Sequence, residues 1–411
     1  MDRACRLFHD RITQIRNINM PDAKECALLY QRKYNSPPRA AGIAPGRVEI
    51  LGNHTDYNGG LVFTVAIDKT ITVCGERVAE PYVTLFTEAL RDEVRFPIDA
   101  LTKDPAHPWA DYVKGVLVQL RKAGVAWGGF RAVIGGGLPI GAGVSSSAAL
   151  EAATALFVQA LYPYEMETMQ LAQLCRAAEN EFVGMPCGLL DQFSSFFGRK
   201  DGILFLDCLD LSYKILPLQP PVPQIVLCAS GIKHELVESE YRVRREQCQT
   251  ACRVLANLIG REINQLRDVT MLEFMDLEDA MDDILRRRVR HILYENQRVL
   301  RGVTAIQLNN LKHLGELMVQ SHHSSRKLFE NSCLELDFLV EEAVQIPGCY
   351  GAKLTGGGFG GSTVNLVQPE HTENFIRAIQ GRFAQKFGRP CHTLVCSIGD
   401  GARKVEMERG L

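Results

Sequence analysis

Apolar and polar residues follow two different periods along the chain, and the changes of period mark out its elements. Between Ala41 and Asp68 short apolar runs, VEIL and LVFTVAI, are broken by Gly, Asn and Asp, the signature of strands joined by turns. Strand-like segments continue from Ile71 to Phe96. From Trp109 to Lys122 the period lengthens: Val113, Val116, Leu117 and Leu120 fall on one helical face, with Gly124 as a stop. Phe130 to Ile134 predicts a short strand. Helices are predicted over about 147–161 and 165–182, followed by a loop, GMPCGLLDQF, and a strand pair near 195–217. The Pro-rich stretch LPLQPPVPQ, residues 216–224, reads as a domain connection. Beyond it the pattern predicts a strand at 225–229, a long helical region over about 235–345 and strands at 350–354 and 363–367. A helix at 371–387 and a last strand near 391–398 follow. Residues 1–35 read as polar and helical, ending at Pro37 and Pro38. The mixture predicts an α+β chain of two lobes, 1–217 and 218–411.

Composition narrows the function classes. The chain has 411 residues, enough for two or three cores. A net charge of −2 with mixed signs argues against nucleic acid and against an anionic membrane as partners. The strongest basic cluster, Arg286, Arg287, Arg288 and Arg290, lies in a helical pattern beside acidic residues and reads as a solvated face. No run of about 18 apolar residues predicts a membrane span, and MDRACRLFHDR lacks the apolar region of a secretory leader. Thirteen scattered cysteines fit reduced thiols in a cytoplasmic protein. Cys391, His392 and Cys396, like Cys248 and Cys252, lack a second half at zinc-finger spacing. Oligomeric state is not legible.

Four stretches have the residue types that chemistry needs. In PIGAGVSSSAAL, residues 139–150, Gly141 and Gly143 precede three serines and an alanine-rich helical run with Leu150, Ala153, Leu156 and Phe157 on its apolar face. A glycine loop feeding a helix N-terminus presents free N–H groups to an anion, usually phosphate; a plain strand-to-helix turn uses the same residues. The Lys of a Walker A motif is missing. APGRVEILGNHTDYNGG, residues 44–60, gathers Arg47, His54, Asp56 and Tyr57, side chains suited to a ligand with several hydroxyls, or to capping a solvated turn. AENEFVGMPCGLLDQF, residues 178–193, has Glu179 and Asp191, one carboxylate to hold Mg²⁺ and the other to act as base, unless both are surface acids. In KLTGGGFGGSTV, residues 353–364, the letters GxGxxG are met at Gly356, Gly358 and Gly361. The β-branched residues that follow predict a strand, so close packing or ligand approach fits better than dinucleotide binding.

Together these stretches resemble the GHMP kinase superfamily, and in detail its galactokinases. GAGVSSSAA is similar to the superfamily phosphate loop and LTGGGFGGS to its C-terminal glycine motif. GRVEILGNHTDYN is similar to the galactokinase signature, and HPWADYVKGV, ESEYRVRREQC, RHILYENQRV and QSHHSSRKLFENSCLELD follow in the same order, so that the similarity runs from about residue 40 to 365. The resemblance implies a two-lobed α+β GHMP kinase fold with ATP and sugar meeting between the lobes. It implies an ATP-dependent sugar-1-kinase that makes α-D-galactose 1-phosphate. Asp191 would accept the proton of the anomeric hydroxyl, and Arg47 would keep Asp191 ionised and stabilise the transferring phosphoryl group. Ser147 and Glu179 match the Mg²⁺-binding positions. Gly141, Gly143, Ser145 and Ser146 would line the phosphates, with Trp109 near the adenine. His54, Asp56, Gly188 and Tyr241 match sugar-contacting positions, as does Asn53.

Two positions depart from the signature. Glu49 stands where galactokinases have Asn, and Asn53 where they have the Glu that contacts the C6 hydroxyl. An amide there removes a charge and adds a donor, which leaves galacturonate or N-acetylgalactosamine as competing substrates; Glu49 four residues away offers a compensating charge. A non-catalytic sugar sensor is a further alternative, opposed by the intact Ser145–Ala149 stretch together with Arg47 and Asp191. Kinases of mevalonate or homoserine are disfavoured by the HTDY and MPCG stretches.

Overall fold

The computed structural model describes residues 23–139, 141, 143–232 and 237–406, so the expected helical character of residues 1–22 lies outside the described part. Helix α1 (Ala23–Tyr34) leads into the long strands β1 (Ala40–Leu51) and β2 (Leu61–Arg77), then β3 (Tyr82–Thr87) and β4 (Asp92–Pro97). Helix α2 (Ala110–Lys122), β5 (Phe130–Gly136), α3 (Ser146–Leu161) and α4 (Thr168–Ala177) follow. A π-helical turn, Ala178–Val183, precedes α5 (Leu190–Phe197), β6 (Gly202–Asp207) and β7 (Tyr213–Pro217). The Pro-rich connection then leads to β8 (Gln224–Ala229) and the helices α6 (Val237–Ile259), α7 (Met271–Leu277), α8 (Asp283–Gln307), α9 (Leu311–Ser324) and α10 (Leu334–Ala343). The described chain closes with β9 (Cys349–Thr355), β10 (Ser362–Val367), α11 (Thr372–Phe387), β11 (Thr393–Cys396) and β12 (Arg403–Glu406). The architecture is mixed α+β, as expected.

Two sheets organise these elements. The first runs β12-β1-β2-β5-β3-β4, with β6 paired to β2 and β7 to β6; the second is the antiparallel sheet β11-β8-β10-β9. Among the described residues of the first sheet, β3 and β5 are the one parallel pair. Every residue of β1 is buried, as expected of a strand covered on both faces. One cover is α3, whose small residues Ala148, Ala149, Ala152, Ala153 and Ala155 are all buried and let its backbone approach β1 closely. Phe157, on the same helix, is fully buried against Phe130 with ring centroids 5.4 Å apart; truncating it to Ala would cost about 3–5 kcal/mol.

Two local expectations are corrected. The DQF segment, read as loop and then strand, forms the helix α5. Leu190, Phe193 and Phe196 recur at helical spacing and are buried, but the eight-residue length and the glycines flanking it mask the signal. The basic cluster on α8 is not a uniformly solvated face. Arg286 pairs with Asp279 and Asp283 at the surface, whereas Arg288 is 2% exposed, donating to Gln247 Oε1 (2.7 Å) and pairing with Glu330. Burial of a guanidinium is tolerable only with such a complete set of acceptors. Among the described residues no helix is long and apolar enough to cross a membrane.

Candidate active site

Strand β1 aims two ionisable side chains at one cavity. Arg47 and Glu49 are two apart and therefore share a face of the strand. Shifts in the β1–β2 register on either side of this pair, between Pro45 and Arg47 and between Glu49 and Leu51, are bulges of the kind that re-aim side chains. Arg47 Nε and Nη2 both lie 2.7 Å from Asp191 Oδ1, and Nη1 donates to the Gly143 carbonyl at 2.8 Å. Asp191 stands in the first turn of α5, where the helix dipole favours negative charge. Its second oxygen, Oδ2, accepts from the Ser145 hydroxyl at 2.6 Å. Burial works against the Arg47 charge, but Asp191, with Glu49 and Asp56 behind it, more than offsets this and the guanidinium pKa is raised.

The glycine–serine loop is turned by positive φ at Gly141 (75°), Gly143 (77°) and Ser145 (54°), the residue that caps α3. It splits its residues between two tasks. Gly141, Ser146 and Ser147 line a cavity of about 540 Å³ together with Trp109, whose indole N–H donates to Asp92 at 2.8 Å. Gly143 and Ser145 instead hold Arg47 and Asp191. A second cavity, about 260 Å³, is bounded by Arg47, Asn53, His54, Asp56, Asp191 and Tyr241 among others, and Ser147 and Met185 line both. The two cavities therefore meet at Ser147, with Asp191 on the smaller side.

The smaller cavity rests on a polar cluster centred on Asn53. The Asn53 amide donates to Gly356 O (2.9 Å) and Glu49 Oε2 (3.2 Å), and its oxygen accepts from Asn331 (2.9 Å) and Ser325 (3.2 Å). Glu49 Oε1 pairs with Lys353 Nζ at 2.5 Å, both side chains buried. The carboxylate lost at position 53 thus reappears at 49, in contact with Asn53 and in the same cavity. The Glu49 charge is itself balanced by the buried ammonium of Lys353. His54 is also fully engaged, Nε2 with Gly357 O (3.0 Å) and Nδ1 with the Tyr57 hydroxyl (2.9 Å). Burial lowers its pKa to about 3, so the ring is neutral. Asp56, raised to about 7 by burial and then by the Asp191 charge, packs under Gly188. A Cβ at 188 would lie 1.9 Å from Asp56 Oδ2, so only glycine fits there without displacing the carboxylate. Tyr241 packs on His54 and Tyr57, with centroids 5.2 and 5.6 Å away.

Glu179 belongs to the π-helical turn, a local widening common at functional sites. Burial, then the Asp191 charge, raises its carboxyl to about 7. The Ser147 hydroxyl lies close enough to favour the ionised form. A buried, cation-poor carboxylate beside a hydroxyl at the junction of two cavities suits Mg²⁺, which takes one or two protein oxygens and completes its shell with phosphates and water. Among the described residues no three His, Cys, Asp or Glu side chains form a metal cage.

Sequence reasoning missed Lys353, Asn331, Ser325 and Gln192 as parts of this neighbourhood. Lys353 opens the KLTGGG stretch and could have been flagged as a cation beside a ligand loop; the others lack any local signal.

The galactokinase galactose-binding signature matches residues 28–77, the GHMP kinases N-terminal domain 111–199 and the GHMP kinases C-terminal domain 303–385. The chain is 38% identical over 376 residues to the galactokinase of Chloroflexus aggregans, covering 92% of this chain and 96% of that protein. It is 37% identical to the human galactokinase, covering 92% and 95%. The crystal structure of Lactococcus lactis galactokinase complexed with galactose superposes with a TM-score of 0.87 at 31% identity, over 93% of this chain and 99% of that one. The chain belongs to the galactokinase family of the GHMP kinases.

Proposed function

We propose that this enzyme transfers the γ-phosphoryl group of ATP to the anomeric hydroxyl of galactose, giving α-D-galactose 1-phosphate and ADP. The observation that carries the reading is the meeting of the two cavities at Ser147, with the Arg47–Asp191 pair on the smaller side. ATP fits the larger cavity, its base beside Trp109 and its phosphates at the N-terminus of α3, where free N–H groups and the dipole favour anions. Galactose fits the smaller one, among Asp56, His54 and Tyr241.

A carboxylate offers about four lone-pair sites. Arg47 occupies both sites of Asp191 Oδ1, and Ser145 one site of Oδ2. The remaining site on Oδ2 receives the proton of the anomeric hydroxyl as its oxygen bonds to phosphorus and the bond to ADP breaks. Arg47, committed to Asp191, stabilises negative charge on that side of the transfer. Ser147 and Glu179 would hold Mg²⁺, which when bound neutralises charge on the phosphates. Phosphoryl transfer asks the protein mainly for positioning and charge, and this arrangement supplies both.

The test is ADP release with Mg·ATP against galactose, galacturonate, N-acetylgalactosamine, arabinose and glucose, with Asp191→Asn run beside the wild type. Galactose is expected to be the preferred sugar. Loss of a positioned base lowers kcat by roughly 10²–10⁴-fold, with the sugar KM little changed. Preference for another sugar would overturn the substrate, and undiminished turnover in the variant would overturn the role of Asp191. Binding of both ligands without turnover would make the protein a sensor.

A further inference from the structure

Behind the junction of the two cavities lies a buried relay that the reaction itself does not use. Gln192, the residue after Asp191, is fully buried on α5. Its amide nitrogen donates to Glu179 Oε2 at 2.7 Å and to Glu151 Oε2 at 3.0 Å. Glu151 is fully buried on α3, one turn beyond Ser147 and on the same helix face. No ion pair satisfies it: Gln192 is its hydrogen-bonding partner, and Glu151 Oε1 and Gln192 Oε1 are left without partners among the described residues. Unpartnered buried oxygens are costly, so this pair is held by something other than local stability. Glu179 Oε2 also accepts from the Cys187 thiol at 3.5 Å. Both donors therefore fall on one oxygen of Glu179.

We propose that Gln192 and Glu151 are positioning residues for the metal-holding carboxylate: Glu151 fixes the Gln192 amide, and Gln192 ties down Oε2 of Glu179, so that Oε1 is presented beside Ser147. This rests on the reading that Ser147 and Glu179 hold Mg²⁺. Groups that orient a metal ligand through its second atom are worth 10- to 100-fold in metal affinity or activity. Helix α3 then delivers the ligand Ser147 and the anchor Glu151 from adjacent turns, and α5 delivers Asp191 and Gln192 from adjacent residues. A shift of either helix would move the acceptor of the sugar proton and the metal-holding carboxylate together.

The experiment measures nucleotide binding without turnover. The dissociation constant of AMP-PNP is determined by calorimetry with Mg²⁺ and again in EDTA, and the ratio of the EDTA value to the Mg²⁺ value reports the metal's contribution. In Gln192→Leu the ratio is expected to fall about 10- to 100-fold, with metal-free AMP-PNP binding unchanged. Gln192→Asn, too short to span both carboxylates, and Glu151→Leu keep the test open if the leucine at 192 prevents folding; both are expected to lower the ratio. Glu151→Gln, which preserves an acceptor for the Gln192 amide, is expected to restore it. A packing defect would weaken binding in both media and leave the ratio intact, and that result overturns the relay. Glu179→Ala separates the two readings. If it abolishes the ratio while the Gln192 and Glu151 variants retain theirs, the relay is wrong and the metal site stands. If Glu179→Ala leaves the ratio unchanged, the metal reading fails and the relay fails with it.

Discussion

Replacing Lys353 by Met leaves Glu49 buried without its cation. Lys353 is fully buried and Glu49 nearly so, and the Oε1–Nζ contact is 2.5 Å. The Asn53 amide would remain on Oε2, and Arg47 is already committed to Asp191. Breaking one side of a buried pair costs about 3–5 kcal/mol, whereas replacing both sides is often close to neutral. An unfolding entropy of about 2.1 cal/mol/K per residue, applied to 411 residues, converts that cost to a fall in Tm of about 3–6 °C. Scanning calorimetry on wild type, Lys353→Met, Glu49→Gln and the double variant closes a cycle. Each single variant is expected to lose this much. The double variant is expected to recover most of it, because the amide introduced by Glu49→Gln still accepts from Asn53 without leaving a charge. Salt should change the loss little, since buried pairs are weakly screened. A double variant that loses the sum of the two single losses, leaving a coupling energy below about 0.5 kcal/mol, would refute the account.

Two further outcomes are expected. Gly188→Ala places a methyl group on Asp56 and should lower kcat/KM for the sugar by roughly 10- to 100-fold with little change in Tm; unchanged sugar kinetics would contradict the packing of Asp56 under Gly188. Asp56 carries a pKa of about 7 against an ordinary 3.8, so the stability contributed by its protonated form is fully present below the ordinary value and lost as pH rises through about 7. Wild type should therefore lose Tm between pH 5 and pH 8 by a component that Asp56→Asn lacks; parallel Tm profiles for the two would count against it.

What the sequence showed of this site depended on how local each signal was. The glycine–serine loop, the strand carrying Arg47 and the helix around Trp109 are written in consecutive residues, and periodicity and turn chemistry found them. Helix α5 was missed because eight residues hold barely two turns. The burial of Arg288 depends on Gln247 and Glu330, each about forty residues away in the chain. The hydrogen bonds of Asn53 were hidden for the same reason: Ser325 and Asn331, 272 and 278 residues away, donate to its oxygen. Gln192 stood inside a stretch already singled out and Glu151 just past another, yet nothing local says that a Glu and a Gln are fully buried and facing each other.

The pairing of β12 with β1 bears on how the molecule can be made. Ala40 lies opposite Glu406, so the edge of the strand that carries Arg47 receives its partner only after nearly all of the intervening chain has been synthesised. Until then the growing polypeptide shows an unpaired β edge, the kind of surface that invites mispairing. Cutting the gene at the Pro-rich connection would not yield two self-sufficient halves, because the first would lack its closing strand. Completion of the sheet around β1 is thus a late event in translation, and nascent chains stalled short of residue 403 should need a chaperone to shield that edge.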